Sequence, residues 1–282
     1  MDIITTIDRM QQVSRDWRRE RNIISFVPTM GYLHQGHVEL LHVGKKRGDR
    51  LIMSIFVNPV QFGPNEDYEN YPVDAEGDLN KARSAGVDVV FLPSAKEMYP
   101  DGFQSTLNVE EVTRHLCGKS RPGHFAGVTI VVAKLFNIAM PHLAIFGEKD
   151  YQQLAVIKRM VSDLNMGVEI IGVPTVREAD GLAMSSRNKY LNNEERVSAL
   201  SLKKGLDLAV SMTAKGEKDP AKIKGAVKDL ILSCPFTDID YITVSNQETL
   251  TDIDKIESPC LLALAVKVGK ARLIDNVILS PN

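Results

Sequence analysis

The sequence predicts an α/β fold in which helices cover both faces of a parallel sheet and a smaller α+β domain follows. Three observations predict it: apolar strand-like runs alternate with helix-like segments through the first 175 residues, those runs are continuous and rich in β-branched residues, and the pattern changes after Pro174. Runs of this kind are typical of parallel strands, which are buried on both faces. Ligands of such sheets lie beyond the carboxyl ends of the strands. We therefore expect one domain at 1–175 and a second at 176–282.

The elements of the first predicted domain follow from its apolar patterning. The strands are the apolar runs at 23–27, 51–57, 87–93, 142–147 and 168–174. The helices are a segment at 37–46, a segment that Asp74 caps and that carries Leu79 and Ala82, the long apolar segment at 126–139, and a segment after Asp150 with Leu154, Ile157, Val161 and Leu164 on one face. Pro141 ends the segment at 126–139, because proline does not continue a helix.

The second predicted domain begins with a polar loop, TVREADGLAMSSRN, which leads to two helical segments and then to strands. Its predicted elements are helices at about 193–215 and 220–233, separated by KGEKDP, and strands at 240–245, 260–268 and 271–279. Gly269-Lys270 fits a tight hairpin between the last two strands. We expect an antiparallel sheet here.

Composition excludes several classes of protein. The net charge is -2 and the pI is near 6.3, so no overall positive field attracts nucleic acid or an anionic membrane. The three cysteines, Cys117, Cys234 and Cys260, form no CxxC pair, which argues against a disulfide framework and a zinc site. The stretch MDIITTIDRMQQ has acids where a secretory signal has basic residues and no apolar core follows it, so we expect no such signal. No run reaches the ~18 apolar residues that span a membrane. We expect a cytoplasmic protein without nucleic-acid or membrane partners.

The string VPTMGYLHQGH at 27–37 joins the first predicted strand to its helix and carries the strongest chemical signal. No GxxxxGK[ST] or GxGxxG motif is present, so a bound nucleotide would need a different phosphate-binding element. Gly31 and Gly36 let the backbone approach a ligand, and the helix N-terminus attracts anions. His34 and His37 can donate hydrogen bonds to phosphate oxygens. A metal pair or two surface histidines are the alternatives, although a metal lacks a third ligand at a recognisable spacing.

Two further motifs follow predicted strands. VNPVQFG carries Asn58 and Gln61, whose neutral amides bind hydroxyls and carboxylates, although Asn58-Pro59 is also typical of a plain turn. GEKD at 147–150 carries Lys149, which can reach a phosphate, and Asp150, which can cap the next helix. A surface lysine is the alternative for Lys149, but its position at a strand end favours a site.

Two polar segments complete the set. AMSSRN at 183–188 offers two hydroxyls and the fixed cation Arg187, which suit phosphate oxygens. RPGHFAGV at 121–128 offers Arg121 and His124 as anion ligands. The same Pro-Gly pair is also typical of an ordinary helix entry, so both interpretations of Arg121 and His124 stay open.

These motifs resemble a known family. HxGH after the first strand resembles the nucleotide-binding element of the class I aminoacyl-tRNA synthetase and nucleotidyltransferase superfamily, which has a Rossmann-like fold. PTMGYLHQGH resembles the pantothenate synthetase (pantoate–β-alanine ligase) family more closely. Four blocks agree in the family's order: SIFVNPVQFGPNEDYENYP at 54–72, RPGHFAGV at 121–128, FGEKDYQQL at 146–154 and READGLAMSSRN at 177–188. Ala183 and Ser186 stand where the synthetases' KMSKS loop has lysines, which argues against a tRNA synthetase.

The resemblance implies the site residues. It implies catalytic roles for His34, His37, Lys149 and Arg187. It implies that ATP contacts Met30, Gly31, Tyr32, Leu33, His34, Gln35, Gly36, His37, Gly147, Glu148, Lys149, Asp150, Val176, Met184, Ser185, Ser186 and Arg187. It implies that pantoate and β-alanine contact Thr29, Asn58, Gln61 and Gln153.

The resemblance also implies the reaction: pantoate attacks the α-phosphorus of ATP, pyrophosphate leaves, and the β-alanine amine converts the pantoyl adenylate to pantothenate and AMP. Mg²⁺ is expected to be held mainly by the ATP phosphates, without a protein metal site. The loop at 177–188 and the second domain are expected to close over the adenylate, and a homodimer is expected. Another HxGH nucleotidyltransferase and a non-catalytic nucleotide-binding module are the alternatives.

Overall fold

The computed structural model describes residues 1–64 and 66–281, which form two compact units. Asn65, inside the block at 54–72, and Asn282 lie outside the described residues. The first unit consists of Met1–Glu110, Arg121–Glu148 and Gln153–Pro174. The second unit consists of Glu111–Ser120, Lys149–Gln152 and the chain from Thr175 onward. Two short segments that precede residue 175 therefore belong to the second unit.

A parallel sheet forms the centre of the first unit. Over the described residues it has six strands, β1 Asp2–Ile4, β2 Ile24–Thr29, β3 Arg50–Ile55, β4 Val89–Phe91, β5 Leu143–Gly147 and β6 Glu169–Val173. Their spatial order is β1-β4-β3-β2-β5-β6, and the neighbouring pairs are parallel. The strand order reverses at β2, between β3 and β5. A crevice that binds ligands lies at such a reversal in open α/β sheets.

Helices connect these strands, and four of them, which begin at Gln35, Ala75, His124 and Tyr151, correspond to helices that the sequence predicts. In chain order they are α1 Ile7–Arg19, α2 Gln35–Arg47, α3 Ala75–Ser84, α4 Ala95–Met98, α5 Leu116–Ser120, α6 His124–Ala139 and α7 Tyr151–Asp163. The α2 helix packs closely on the sheet at Gly44, where a Cβ atom would lie 2.8 Å from Leu51 Cδ1. Leu41, Leu51 and Ile145 are fully buried in the core there.

Two details differ from the sequence predictions, at the end of β2 and at the end of α7. The β2 strand continues to Thr29 rather than Val27, because Pro28 lies beyond the residues that pair with β5 and its missing N–H is tolerated there. The α7 helix ends at Asp163, and Leu164 is 51% exposed instead of facing the core. The backbone turns away at Asn165, whose φ is 50°.

The second unit contains the predicted antiparallel sheet. Its elements after residue 190 are α8 Asn193–Ala214, α9 Pro220–Leu232, β7 Thr237–Ser245, β8 Cys260–Val268 and β9 Ala271–Leu279. Within the described residues the sheet has the order β7-β8-β9, and Gly269, with φ of 56°, makes the expected hairpin turn. One face packs its buried aliphatic side chains against α8 and α9. In the part of the chain that the structure describes, no helix is both long and apolar enough to cross a membrane.

His142 at the entrance to β5 gives the first unit an acid-sensitive contact. Its Nδ1 atom accepts a hydrogen bond from the Ile24 N–H at 2.9 Å. Burial, together with the nearby charge of Arg18, lowers the pKa of this imidazole below its ordinary value of about 6.5. The unfolded chain therefore binds the proton first, and folding stability is lost as the pH falls from about 6.5 towards the folded-state pKa.

Replacing His142 by asparagine is expected to reduce this acid sensitivity. The asparagine Oδ1 atom can accept the same N–H bond but does not titrate. Urea unfolding at pH 7 and pH 5 measures the effect: the free energy of unfolding should fall less between these pH values in the variant than in the wild type. An equal fall in both proteins would contradict the assignment.

Candidate active site

The two histidines of VPTMGYLHQGH form the N-terminus of α2. His34 is the N-cap residue, and its Nδ1 atom accepts the Gly36 N–H at 3.1 Å. The Nδ1 atom of His37 accepts the His34 N–H at 3.3 Å, so the pair forms a reciprocal capping box. The ring centroids are 4.0 Å apart. An imidazole that accepts at Nδ1 carries its proton on Nε2 when neutral, so both rings have an Nε2–H donor.

The turn before these histidines has a strained backbone. Gly31 and Tyr32 have φ values of 85° and 51°, in the left-handed region. The Thr29 hydroxyl donates to the Ser54 carbonyl at 2.8 Å and accepts the Gly31 N–H at 3.2 Å. These two bonds support a role for Thr29 in shaping the turn, whereas its contact with substrate stays a prediction.

Asn58 and Gln61, after β3, are linked to the turn after β2. Asn58 is 1% exposed and donates to the Gly127 carbonyl at 3.0 Å and to Gln61 Oε1 at 3.2 Å. The Gln61 amide nitrogen then donates to Met30 Sδ at 3.1 Å. The Tyr99 hydroxyl donates to Asn58 Oδ1 at 2.8 Å, and burial raises the pKa of Tyr99 to about 12, which keeps it a donor. This chain of bonds fixes which way the Gln61 amide points.

Arg121 and His124 form a polar cluster with Glu66 beside this chain. The Arg121 guanidinium bonds to both Glu66 carboxylate oxygens, at 2.6 Å and 2.5 Å. It also lies 3.0 Å from His124 Nε2, while His124 Nδ1 lies 2.8 Å from the Gln61 carbonyl oxygen. Burial by itself raises the pKa of the Glu66 carboxyl, but the bonds and charge of Arg121 outweigh it and lower that pKa. Arg121 is therefore engaged by an internal carboxylate.

The end of β5 supplies the remaining predicted residues of the first unit. Gly147 is the last residue of the strand, and a Cβ atom added there would meet no described atom within 4 Å. The adjacent Glu148 begins a 3₁₀ turn. Gln153 lies in the first turn of α7 and is half-buried. Gly147 thus leaves open space at a strand end.

Lys149 and Asp150 belong to the second unit. Lys149 Nζ lies 3.8 Å from an Asp150 carboxylate oxygen, and the lysine side chain is only 19% exposed. The Lys149 carbonyl accepts a hydrogen bond from Asn276 Nδ2 at 3.0 Å. Gln152 donates to the carbonyls of Val112 at 2.8 Å and His115 at 2.7 Å. These bonds hold the short segment at 149–152 within the second unit.

The loop at 177–188 is anchored to the same unit. Arg177 makes a two-pronged ion pair with Asp275, at 2.7 Å and 3.0 Å. The Met184 N–H donates to the Val176 carbonyl at 3.0 Å, which brings these two predicted ATP contacts together.

The MSSR segment then enters a 3₁₀ helix at Ser186–Tyr190, which Ser185 caps by accepting the Arg187 N–H at 3.3 Å. Ser185 and Lys149 line one small cavity of about 10 Å³, with Ala183 and Asn188. Ser185 and Lys149 therefore border the same cavity within the second unit.

The predicted residues thus form two groups. The first unit gathers Thr29, Met30, Gly31, Tyr32, Leu33, His34, Gln35, Gly36 and His37 with Asn58 and Gln61, and it also contains Gly147, Glu148 and Gln153. The second unit contains Lys149, Asp150, Val176, Met184, Ser185, Ser186 and Arg187. That both groups act on one ATP molecule stays a prediction. Over residues 1–64 and 66–281, no group of three or more His, Cys, Asp or Glu side chains could hold a metal ion.

Sequence reasoning missed four residues that hold these groups: Asp78, Tyr99, Gln152 and Asn276. Asp78 accepts the N–H groups of Tyr32 and Leu33 and is 1% exposed. One signal was available for it, because an acid one helical turn before the buried Ala82 faces the core. The other three carry no such pattern.

Comparisons with known proteins agree with this geometry. The family model described as Pantoate-beta-alanine ligase matches residues 2–278. A pantothenate synthetase of Acetivibrio thermocellus is 56% identical over 278 residues, which cover 99% of each chain. The crystal structure of a pantothenate synthetase from Thermus thermophilus has a TM-score of 0.95 and 42% identity, with 100% of both chains covered.

A pantoate-beta-alanine ligase from Francisella tularensis, complexed with beta-gamma ATP and beta-alanine, has a TM-score of 0.80 and 35% identity. The match covers 99% of this chain and 97% of that one. The predicted family and the Rossmann-like fold with a C-terminal antiparallel sheet are confirmed, and nothing in these matches favours another nucleotidyltransferase or a non-catalytic module. The chain belongs to the pantoate-beta-alanine ligase family, whose members are ligases that form a carbon–nitrogen bond.

Proposed function

We propose that this chain condenses pantoate with β-alanine in an ATP-dependent reaction that passes through a pantoyl adenylate. The observation that carries the mechanism is the capping box of α2, which orients His34 and His37 with Nδ1 towards the backbone and leaves Nε2–H as the donor. The related Francisella tularensis ligase, complexed with beta-gamma ATP and beta-alanine, supports the choice of substrates.

The first step activates a poor electrophile. A carboxylate does not react with an amine because an oxide ion does not leave. In the proposed step a pantoate oxygen attacks the α-phosphorus of ATP, and the bond from that phosphorus to the bridging oxygen of pyrophosphate breaks. Negative charge moves onto the leaving pyrophosphate. The Nε2–H groups of His34 and His37, at the positive end of α2, stabilise that charge.

The second group of residues stabilises the leaving group. Lys149 and Arg187 contribute two positive charges, and Ser185 and Ser186 contribute hydroxyl donors that suit the β- and γ-phosphates. Lys149 and Ser185 lining one cavity supports their joint role. The bonds from Asn276 to Lys149 and from Arg187 to Ser185 hold the backbone of this group in place.

Neutral amides suit the attacking carboxylate. Gln61 and Asn58 bind through dipoles, so they orient pantoate without neutralising the oxygen that must attack. Gln153, in the first turn of α7, would also contact pantoate. In the second step the β-alanine amine attacks the acyl carbon, loses a proton and displaces AMP, which gives pantothenate. Positioning of both reactants supplies much of the rate, because holding reactants in line is worth roughly 7–11 kcal/mol.

Mg²⁺ would be bound mainly by ATP in this proposal. The assigned phosphate ligands are imidazoles, hydroxyls and cations, whereas Mg²⁺ prefers oxygen ligands with carboxylates among them. Of the residues assigned to ATP only Glu148 and Asp150 are acids, and Asp150 already lies beside Lys149. The residues therefore fit an ion held by the triphosphate. When bound, Mg²⁺ offsets phosphate charge and improves the leaving group.

Three further expectations belong to the same proposal. A homodimer is expected from the family resemblance, and analytical ultracentrifugation measures it. A cytoplasmic location is supported by Cys117, Cys234 and Cys260, which are free thiols in the structure. A lid role for the second unit rests on the need to shield the adenylate from water.

One assay tests the reaction. Incubation with ATP and pantoate should release pyrophosphate in an amount that matches the enzyme, and addition of β-alanine should start steady production of AMP and pantothenate. No pyrophosphate release in either mixture would contradict the proposal. Transfer of a nucleotide to a phosphate substrate would favour another nucleotidyltransferase, and ATP binding without any chemistry would favour a binding module.

A further inference from the structure

We propose that Asp78 is a positioning residue for His34 and His37, and that its carboxylate fixes the turn that carries them. This inference rests on the proposed function for the roles of the histidines. Asp78 lies on α3, is 1% exposed, and belongs to the first unit. It is not among the residues assigned to any ligand.

The Asp78 carboxylate accepts hydrogen bonds from two consecutive peptide N–H groups. Its Oδ2 atom accepts the Tyr32 N–H at 2.7 Å, and its Oδ1 atom accepts the Leu33 N–H at 2.6 Å. Bonds to an ionised acceptor are stronger than neutral ones. An ionised carboxylate also accepts at both oxygens, whereas a carboxamide would turn an NH₂ group towards one of the two N–H donors.

The turn depends on these bonds because packing on one side of it is incomplete. Tyr32 has φ of 51°, a conformation that residues other than glycine rarely adopt. Gly31, Tyr32 and Asp78 itself also line a cavity of about 260 Å³. A backbone that adjoins a cavity lacks the close contacts that usually hold an unfavourable conformation. Hydrogen bonds from the buried carboxylate therefore supply the constraint at this point.

The position of this turn sets the position of both imidazoles. Leu33, whose N–H is held by Asp78, immediately precedes the N-cap residue His34. His37 accepts the His34 N–H, so both rings follow the same peptide. Gly31 also approaches Asp78 closely, since a Cβ atom there would lie 3.0 Å from Oδ2. A shift of about 1 Å in a catalytic group can reduce a rate about 100-fold.

Asp78→Asn tests the proposal, with Asp74→Asn as the matched control. Both substitutions remove one carboxylate, Asp78 from α3 and Asp74 from its N-cap position. Asp74 caps the helix by accepting the Gly77 N–H, and asparagine caps equally well. Asp78→Asn is expected to lower kcat for pyrophosphate release about 10- to 100-fold. KM for pantoate, which contacts other residues, should change less than about 3-fold, and Asp74→Asn should match the wild type.

Two further readouts separate positioning from general stability. Amide hydrogen exchange at Tyr32 and Leu33 should become faster in Asp78→Asn, while exchange in the β3 strand stays slow. In the background of His37→Asn, which keeps the helix cap and a measurable rate, Asp78→Asn should have a smaller effect on kcat, because one of the two donors that Asp78 positions is already absent. The exchange measurement needs no activity, so it tests Asp78 even if the proposed reaction is wrong.

Three outcomes would overturn the proposal. One is a kcat for Asp78→Asn within about 2-fold of the wild type with unchanged exchange. Another is a loss of kcat that is equally large in the His37→Asn background. If Asp78→Asn does not fold, Asp78→Ser takes its place, and failure of both variants to fold would show that Asp78 serves the fold alone.

Discussion

Replacing His37 by asparagine is expected to lower the rate constant for pyrophosphate release by about 100- to 1,000-fold, because one donor to a developing phosphate charge contributes that much. The asparagine Oδ1 atom lies where the imidazole Nδ1 atom does, so it can still accept the His34 N–H and keep the helix cap. The variant removes only the donor at the Nε2 position. Single-turnover release of pyrophosphate from ATP and pantoate measures the loss.

Three companion variants make this result specific. His37→Gln places an amide N–H near the Nε2 position, so it should retain more activity than His37→Asn. His37→Ala removes cap and donor together and should abolish adenylate formation without unfolding the chain. His42→Ala, an exposed histidine on the same helix whose ring lies 3.8 Å from Glu39, should behave as the wild type. Near-normal activity of His37→Asn would refute the donor role.

Replacing Lys149 by glutamine is the second large prediction. The substitution keeps length and a hydrogen-bond donor but removes the positive charge that we assign to the departing pyrophosphate. Loss of one such electrostatic contact is expected to lower kcat about 100-fold or more. The backbone bond from Asn276 to the Lys149 carbonyl does not depend on the side chain, so the fold should persist. Steady-state rates at saturating ATP measure the effect.

Lys158→Gln on α7 is the control for lost charge, because Lys158 is exposed. It should leave kcat and KM unchanged. The Lys149 assignment would be wrong if Lys149→Gln raised KM for ATP while kcat stayed normal, since that pattern indicates uniform binding rather than stabilisation of the transition state.

The predictable parts of the fold are those that depend on local patterning. LIMSIFV and HLAIFG give rise to β3 and β5. A short, continuous apolar run is typical of a strand that is buried on both faces, as the strands of a parallel sheet are. The α1 helix escaped prediction because its sequence is polar and only Met10 and Ser14 are buried. The β1 strand has only three residues, Asp2–Ile4, too few for a pattern to be visible.

The same distinction applies to the candidate site. HxGH and MSSR are contiguous, so their residues could be named from the sequence and a family resemblance. Asp78 acts on Tyr32 from 46 residues away, and Asn276 acts on Lys149 from 127 residues away. Such contacts depend on how distant segments meet, which a single sequence does not state. The structure therefore adds the residues that hold the site in place.

Tracing the oxygen atoms of pantoate tests the central claim most directly. The enzyme is incubated with ATP, β-alanine and pantoate in which both carboxylate oxygens are ¹⁸O. The masses of AMP and pantothenate are then measured by mass spectrometry. If the carboxylate attacks the α-phosphorus, one labelled oxygen leaves with AMP and the other stays in the amide of pantothenate. Unlabelled AMP, or label in inorganic phosphate together with ADP, would contradict the adenylate mechanism.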